Sequence, residues 1–174
     1  MKKPRVITNS QAERMLRRLE YRDQLLIRLA IQSGLRVSDL LKIKNEDIKK
    51  HMTVYESKSR RERSFKIDEK LYDDLKKFTK YKKRGAYVFN SSRSASGTVH
   101  RSTIHRRIKK ACRGMKINAS AHSTRKLYAY NKFAETQSIK KVQEAMNHRK
   151  MMTTLLYLDI DPETILSQIR NEEI

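Results

Sequence analysis

The sequence predicts a mainly α-helical domain with one small antiparallel β-hairpin, which is an α+β fold. Only 4 Gly and 2 Pro occur among 174 residues, so helix-breaking positions are rare and the connections should be short. Most apolar residues recur at helical spacing. A single region, residues 52–67, has the composition of two strands. At this length, residues 1–174 are expected to form a single domain, or at most two small lobes.

Three helices are predicted before this region. Ser10 and Glu13 form a capping-box pattern that begins the first helix. Residues 22–33 are apolar almost all round, which predicts a buried helix that ends at Gly34. A short helix at residues 38–43 follows.

The hairpin consists of two β-prone runs with a charged connection. Residues 52–55 and 64–67 are the runs, and the polar, basic residues 56–63 join them. Asp68 then caps a helix with apolar residues at helical spacing. A brief extended segment at residues 86–89 leads into a Ser-rich loop.

The second half of the chain is predicted to be helical throughout. The first of its helices has an apolar stripe on one side and basic residues on the other. A last helix begins where Asp161 can serve as the N-cap and Pro162 as the first helical residue. The predicted helices lie at residues 102–112, 123–135, 138–146, 151–158 and 161–174.

The charge of the chain indicates a polyanionic partner. Lys and Arg total 41 against 19 Asp and Glu, which gives a formal net charge of +22 and a pI near 10.3. Such an excess opposes compaction unless a polyanion compensates it, and nucleic acid does so with release of counterions. An anionic membrane is the alternative, but it is less favoured because the basic residues run through the whole chain. No signal peptide or membrane span is recognisable, so no membrane partner is expected.

Cysteine and histidine usage argues against a metal centre. The single Cys112 excludes an internal disulfide and a multi-Cys zinc site, and it fits a reducing cytoplasm. The 5 His show no metal-ligand spacing. We therefore expect neither a metal nor another cofactor.

Four short segments contain residues suited to phosphate chemistry. Arg36 follows the end of a buried helix, and His122 and Arg125 share a face at the start of another. His148 follows a residue suited to the left-handed end of a helix, and Tyr157 lies nine positions later. Each is unremarkable alone, since a solvated Arg in a turn or a His three residues before an Arg is common.

Together these segments resemble the tyrosine recombinase, or phage integrase, family. In chain order they read Ser-Gly-Leu-Arg-Val-Ser-Asp-Leu, Lys-Ser-Arg-Arg-Glu-Arg, His-Ser-Thr-Arg, and Asn-His followed after eight residues by Tyr. The resemblance covers about residues 8–160 and ends in a Thr-Thr-x-x-Tyr pattern. Asn147 stands where the family usually has Gly, and Asp39 where it often has Glu. The resemblance implies the catalytic-domain fold of that family.

The resemblance also implies the central chemistry. Arg36 and Arg125 would clamp the non-bridging oxygens of a scissile DNA phosphate, for which a planar, permanently charged fork of donors is suited. Tyr157 would attack the phosphorus and form a 3′-phosphotyrosyl linkage. Asp39 would support Arg36 or His122 without itself contacting the phosphate.

Three further side chains would accept or donate protons and hydrogen bonds during the reaction. His122 would accept or position the phenolic proton, and His148 would donate to a phosphate oxygen. Lys58 would protonate the departing 5′-oxygen as the general acid, because a Lys can release a proton and an Arg cannot. The alternative is that Lys58 contacts phosphates, as the neighbouring Arg60 and Arg61 would.

A set of basic residues is expected to contact DNA, mainly through its phosphates. The helix at 102–112 resembles the family helix that enters the major groove. The alternative for it is an ordinary solvated basic face. The expected DNA-contacting residues are Arg60, Arg61, Arg63, Arg106, Arg107, Lys109 and Lys110.

The function implied is site-specific recombination of double-stranded DNA, by integration, excision or inversion. Type IB topoisomerase activity is a neighbouring possibility, and a non-catalytic DNA-binding remnant or regulator is the main alternative. An RNA-binding module lacks its usual signatures here. The protein is expected in the cytoplasm, associated with the nucleoid. It is expected to form a tetramer in its synaptic complex with DNA, and a monomer is compatible with its state in solution.

The layout of the chain differs from that of larger family members. Because the family pattern starts almost at Met1, we expect the core-binding domain of those members to be missing here. The chain is then expected to be either a minimal recombinase, similar in layout to short fimbrial-type invertases, or an excised or truncated domain. The tail at residues 161–174 is expected either to dock on a neighbouring protomer or to fold back on its own core.

Overall fold

The part of the chain that the structure describes is mostly helical and contains one two-stranded antiparallel sheet, which confirms the predicted fold class. The computed structural model describes residues 6–91 and 97–160. The predicted tail helix at 161–174 lies outside these residues. No helix within the described ranges is long and apolar enough to cross a membrane.

The chain divides into two compact units, Met1–Tyr128 and Ala129–Ile174. In the described part of the first, the elements are α1 (Asn9–Leu16), α2 (Tyr21–Ser33), α3 (Val37–Leu40), a short 3-10 helix (Asn45–Asp47), β1 (His51–Glu56), β2 (Arg61–Lys66), α4 (Glu69–Thr79) and α5 (Arg101–Ala111). Helix α6 (Ala121–Thr136) includes the division, and α7 (Ile139–Ala145) and α8 (Met151–Tyr157) follow it.

Helix α1 begins earlier than the capping pattern predicts. Thr8 is its N-cap, and the Thr8 hydroxyl accepts from the backbone N–H of Gln11 at 3.1 Å. The Gln11 side chain accepts in return from the backbone N–H of Thr8 at 3.0 Å. The predicted cap at Ser10 is therefore wrong. Both pairs have the same three-residue spacing, so the sequence pattern alone could not separate them.

The hairpin strands are longer than predicted. Their register pairs His51 with Lys66 at one end and Glu56 with Arg61 at the other, so only residues 57–60 connect them. Four of the charged residues assigned to the connection continue the backbone ladder instead, namely Glu56, Arg61, Glu62 and Arg63. Arg60 has a positive φ of 55° and donates its N–H to the carbonyl of Glu56 at 2.9 Å, which closes the turn.

The core of the first unit is built around α2. Its residues Leu25, Leu26, Ile27 and Leu29 are almost completely buried, as the all-round apolar pattern predicts. Helix α2 packs against α3, α4 and β2, and α1 packs against α5. The apolar stripe predicted for α5 is buried too. Its residues are Ile104, Ile108, Ala111 and Cys112.

In the second unit α7 packs against α8 through a tight turn. Val142 and Met146 are buried, and Asn147 ends the helix with a left-handed φ of 57°, as predicted. The backbone N–H of His148 donates to the carbonyl of Gln143 at 3.0 Å, which closes the last turn of α7. The chain therefore leaves α7 at a fixed angle.

Gly34 is the position where the first unit depends most directly on glycine. It caps α2 with a left-handed φ of 64°, and a Cβ placed there would lie within 2.7 Å of Cγ of the Tyr128 ring. We expect Gly34→Ala to lower the free energy of unfolding, measured with urea, by well over about 1 kcal/mol. Backbone strain and a steric clash act together at this position.

Gly114→Ala is the matched control. Its φ is 76°, also left-handed, but an added Cβ would meet open space. This substitution should cost about 1 kcal/mol from backbone strain alone. Equal losses in the two variants would contradict the packing role of Gly34.

Candidate active site

A buried carboxylate organises three arginines in the first unit. Glu56, the last residue of β1, is completely buried. Its carboxylate accepts from Nη1 of Arg36 at 2.8 Å and from Nη1 of Arg63 at 3.4 Å. Nη1 of Arg125 lies 3.8 Å from the same carboxylate. Glu56 therefore links the hairpin to a turn and to helix α6.

The strand pattern explains why Glu56 points inward. Along β1 exposed and buried residues alternate, and Met52, Val54 and Glu56 share the buried face. Glu56 falls in the predicted polar connection of the hairpin and is not among the site residues expected from the sequence. The two-residue spacing that Met52, Val54 and Glu56 share was the signal available in the sequence.

Arg36 and Arg125 approach Glu56 from separate elements. Arg36 is the N-cap of α3, two residues after Gly34, and its side chain is 30% exposed. Arg125 lies on α6, and only 2% of its side chain is exposed. Its guanidinium also donates to the carbonyl of Gly34. The two predicted phosphate-binding arginines are thus held together, one buried and one partly open to solvent.

These arginines line a cleft of about 450 Å³. His122, from the first turn of α6, lines the same cleft. Arg101 and His105 of α5 also line it, although neither is among the site residues expected from the sequence. Their four-residue spacing places them on one face of α5 and was the signal that could have found them. The cleft therefore collects cationic and imidazole groups from three parts of the chain.

The cleft disfavours a charged imidazole. Partial desolvation lowers the pKa of His122, and four neighbouring cations lower it further. These cations are Arg125, Lys126, Arg36 and Lys58. Since the ordinary pKa of histidine is about 6.5, the ring is neutral at pH 7. A neutral ring retains a nitrogen that can accept a proton.

Lys58 and Asp39 lie at the hairpin end of this cluster. Lys58 is exposed in the turn at residues 57–60, and its charge acts on His122. Asp39 is buried, and one of its carboxylate oxygens lies 4.0 Å from Nη1 of Arg36. The other accepts from the backbone N–H of Ser57 at 3.3 Å. Asp39 thereby ties the start of the turn to α3.

The basic residues expected to contact DNA divide into two groups. Five of them are exposed, namely Arg60, Arg61, Arg106, Lys109 and Lys110. Arg63 differs from the expectation. It is only 7% exposed, it pairs with Glu56, and its guanidinium lies 5.3 Å from the centre of the Tyr128 ring.

Arg107 also differs from the expectation. Its Nη1 donates to both carboxylate oxygens of Asp23, at 2.8 and 3.1 Å, and Asp23 is 1% exposed. Arg107 thus joins α5 to α2. A buried carboxylate needs a charged partner, and this requirement accounts for the position of Arg107 as it does for that of Arg63.

In the second unit His148 and Tyr157 lie together. Their ring centres are 5.0 Å apart and the ring planes are inclined at 59°. Nδ1 of His148 lies 3.0 Å from the hydroxyl oxygen of Thr154. The Tyr130 hydroxyl donates to the carbonyl of Leu158 at 2.5 Å, which fixes the end of α8 directly after Tyr157.

The charges in the first unit favour binding of an anion. Three guanidinium groups, those of Arg36, Arg63 and Arg125, face the two carboxylates of Glu56 and Asp39. The guanidiniums in this cluster outnumber the carboxylates, and Arg36, which is 30% exposed, lines the cleft. Within the described residues, no group of three or more His, Cys, Asp or Glu is placed to hold a metal ion.

Comparison with known proteins supports the resemblance. A family model described as "Phage integrase family" matches residues 5–164. The chain is 30% identical over 146 residues to the probable integrase/recombinase YoeC of Bacillus subtilis, covering 82% of this chain and 80% of that protein. It is 29% identical to a tyrosine recombinase of Thermosipho africanus, covering 81% of this chain but only 50% of that protein.

Solved structures show the same fold. The structure of XerA recombinase superposes with a TM-score of 0.77 at 18% identity, covering 100% of this chain and 67% of that one. XerH site-specific recombinase bound to its difH substrate gives a TM-score of 0.73 at 18% identity, covering 97% of this chain and 54% of that one.

Removal of the Glu56 charge should destabilise the first unit. In Glu56→Gln the buried guanidiniums of Arg63 and Arg125 lose their counter-charge, so we expect the free energy of unfolding to fall by about 3 kcal/mol. Urea denaturation followed by circular dichroism measures this loss. The control is Glu62→Gln on the exposed face of β2, which should change stability by less than about 0.5 kcal/mol. Similar values for both variants would show that Glu56 does not hold the cluster together.

Proposed function

The chain belongs to the phage integrase family, and on this basis we propose that it is a site-specific DNA recombinase. It would cut and rejoin double-stranded DNA through a covalent 3′-phosphotyrosyl intermediate, as in integration, excision or inversion. The observation that carries the proposal is the Glu56-held pair of Arg36 and Arg125 in one cleft with His122. Support also comes from relatives named as tyrosine recombinases and from the likeness to XerH bound to its DNA substrate.

The arginines would act on the scissile phosphate. A guanidinium donates parallel, charge-assisted hydrogen bonds and stays protonated, so Arg36 and Arg125 suit the non-bridging oxygens. Negative charge builds up on these oxygens as the phosphorus becomes five-coordinate, and donors fixed beforehand stabilise that state most. The ion pair with Glu56 supplies this fixation because it holds both guanidiniums before the substrate arrives.

Tyr157 would be the nucleophile. Its phenolic oxygen attacks the phosphorus while the bond to the 5′-oxygen breaks, and His122 accepts the phenolic proton. A neutral His122 is the form that this step requires. His148 would donate a hydrogen bond to a phosphate oxygen. The covalent linkage retains the energy of the phosphodiester bond, so the reverse reaction with another 5′-hydroxyl rejoins DNA without ATP.

Lys58 would act as the general acid that protonates the departing 5′-oxygen. It is exposed at the hairpin turn, and its positive charge helps to lower the pKa of His122, which lines the cleft. The exposed residues Arg60 and Arg61 would contact phosphates nearby, and the exposed basic residues of α5 would extend this surface. Assembly as a tetramer on two DNA sites and a location with the nucleoid belong to the same proposal.

Tyr157→Phe should abolish covalent capture of DNA. A nicked substrate that loses a short oligonucleotide after cleavage traps the intermediate, so the wild-type protein should give a protein–DNA band on a denaturing gel. Tyr81→Phe is the control because Tyr81 is 89% exposed and lies outside the cleft, and it should give the band at the wild-type rate. A covalent band from Tyr157→Phe would exclude Tyr157 as the nucleophile.

A sulfur leaving group should separate the two roles considered for Lys58. Lys58→Gln should slow cleavage of normal DNA by about 100-fold, within the range for loss of a general acid. A substrate with sulfur in place of the bridging 5′-oxygen needs no proton on departure, so it should restore the rate. Single-turnover cleavage measures both rates.

The neighbouring cation provides the contrast. Arg60→Gln should weaken DNA binding, and the sulfur substrate should not restore any rate that this variant loses. If Lys58→Gln behaves in the same way as Arg60→Gln, then Lys58 is a phosphate contact and not the acid.

A further inference from the structure

Two adjacent threonines precede Tyr157, and only one of them is buried. Thr153 is exposed on α8, whereas Thr154 is completely buried. The hydroxyl oxygen of Thr154 lies 3.0 Å from Nδ1 of His148. The roles proposed above for the arginines, the histidines, Lys58 and Tyr157 make no use of this contact.

Burial of the Thr154 hydroxyl favours its role as the donor in this hydrogen bond. A buried hydroxyl proton needs an acceptor, and leaving it without one costs about 1–3 kcal/mol. Other helical threonines give theirs to a backbone carbonyl, as Thr79 does to Leu75 at 2.8 Å and Thr136 to Lys132 at 2.8 Å. Within residues 129–160, Nδ1 of His148 is the hydrogen-bond partner that the structure gives the Thr154 hydroxyl.

The donor role of Thr154 fixes the proton on the imidazole. If Nδ1 carried the ring proton, the Thr154 hydroxyl oxygen would accept it, and the hydroxyl proton of Thr154 would be left without an acceptor. Nδ1 is therefore the unprotonated nitrogen, and in the neutral ring the proton lies on Nε2. Nε2–H is then the group that can donate to an anion.

We propose that Thr154 is a positioning residue that holds His148 as the Nε2–H tautomer. This inference rests on the proposed function, because the donor role of His148 toward a phosphate oxygen requires that tautomer. The backbone supports the same arrangement. The left-handed conformation of Asn147 and the hydrogen bond from the His148 N–H to Gln143 fix the backbone of His148. The contact with Thr154 then fixes the orientation of the imidazole ring. The ring is thereby held 5.0 Å from that of Tyr157.

The first test measures the tautomer in the free protein. In ¹⁵N-labelled wild type, Nδ1 of His148 should show the chemical shift of an unprotonated ring nitrogen and Nε2 that of a protonated one. His148→Gln identifies the signals. Thr154→Val keeps the shape of the side chain but lacks the hydroxyl, so it should move both shifts toward a mixture of tautomers. Thr154→Ser should restore them, and the exposed control Thr153→Val should leave them unchanged.

The second test measures cleavage in a single turnover with the nicked substrate. Thr154→Val should slow formation of the covalent adduct about tenfold at saturating DNA, as expected for one lost hydrogen bond. The affinity for DNA should stay at the wild-type value, and Thr154→Ser should recover the rate. A merely structural role for Thr154 would change the melting temperature without moving the ratio of tautomers.

The outcomes distinguish this inference from the proposed function. Unchanged ¹⁵N shifts in Thr154→Val would overturn the inference, and so would shifted tautomers with an unchanged rate. If wild type itself forms no adduct, the proposed function fails, and the ring shifts still decide whether Thr154 sets the tautomer.

Discussion

The buried carboxylate of Glu56 is the interaction on which the first unit and its cleft depend. It receives guanidiniums from three distant positions, so the hairpin, the start of α3 and helix α6 meet at one point. A buried charge is tolerated only when it is paired, which makes this meeting point geometrically demanding. Because Arg36 and Arg125 pair with this buried carboxylate, their guanidiniums are held in place before any ligand binds. Structural and functional constraints thus coincide in a single side chain.

The large positive charge of the chain serves two different purposes. Most lysines and arginines are exposed, as a protein that binds a polyanion requires. A minority are turned inward by buried carboxylates, as Arg63 is by Glu56 and Arg107 by Asp23. Counting basic residues along a helix or hairpin cannot separate these groups. The position of each acidic partner decides which cation stays on the surface.

Left-handed backbone positions place two of the proposed catalytic side chains. Gly34 ends α2 and turns the chain so that Arg36, two residues later, reaches Glu56. Asn147 ends α7 and turns the chain so that His148 reaches Thr154. In both places the left-handed residue that ends the helix directs a following side chain toward a buried partner. Residues that tolerate a positive φ therefore matter here for the direction in which the chain continues.

The sequence by itself determined the fold class, the helical periods, the caps at Gly34 and Asp68, and the family to which the chain belongs. These features depend on neighbours a few residues apart, whose spacing can be read directly. Only the tertiary structure decided which charges are buried. Glu56 meets Arg36 across 20 positions and Asp23 meets Arg107 across 84, because pairing of buried charges is a long-range requirement that local spacing does not encode.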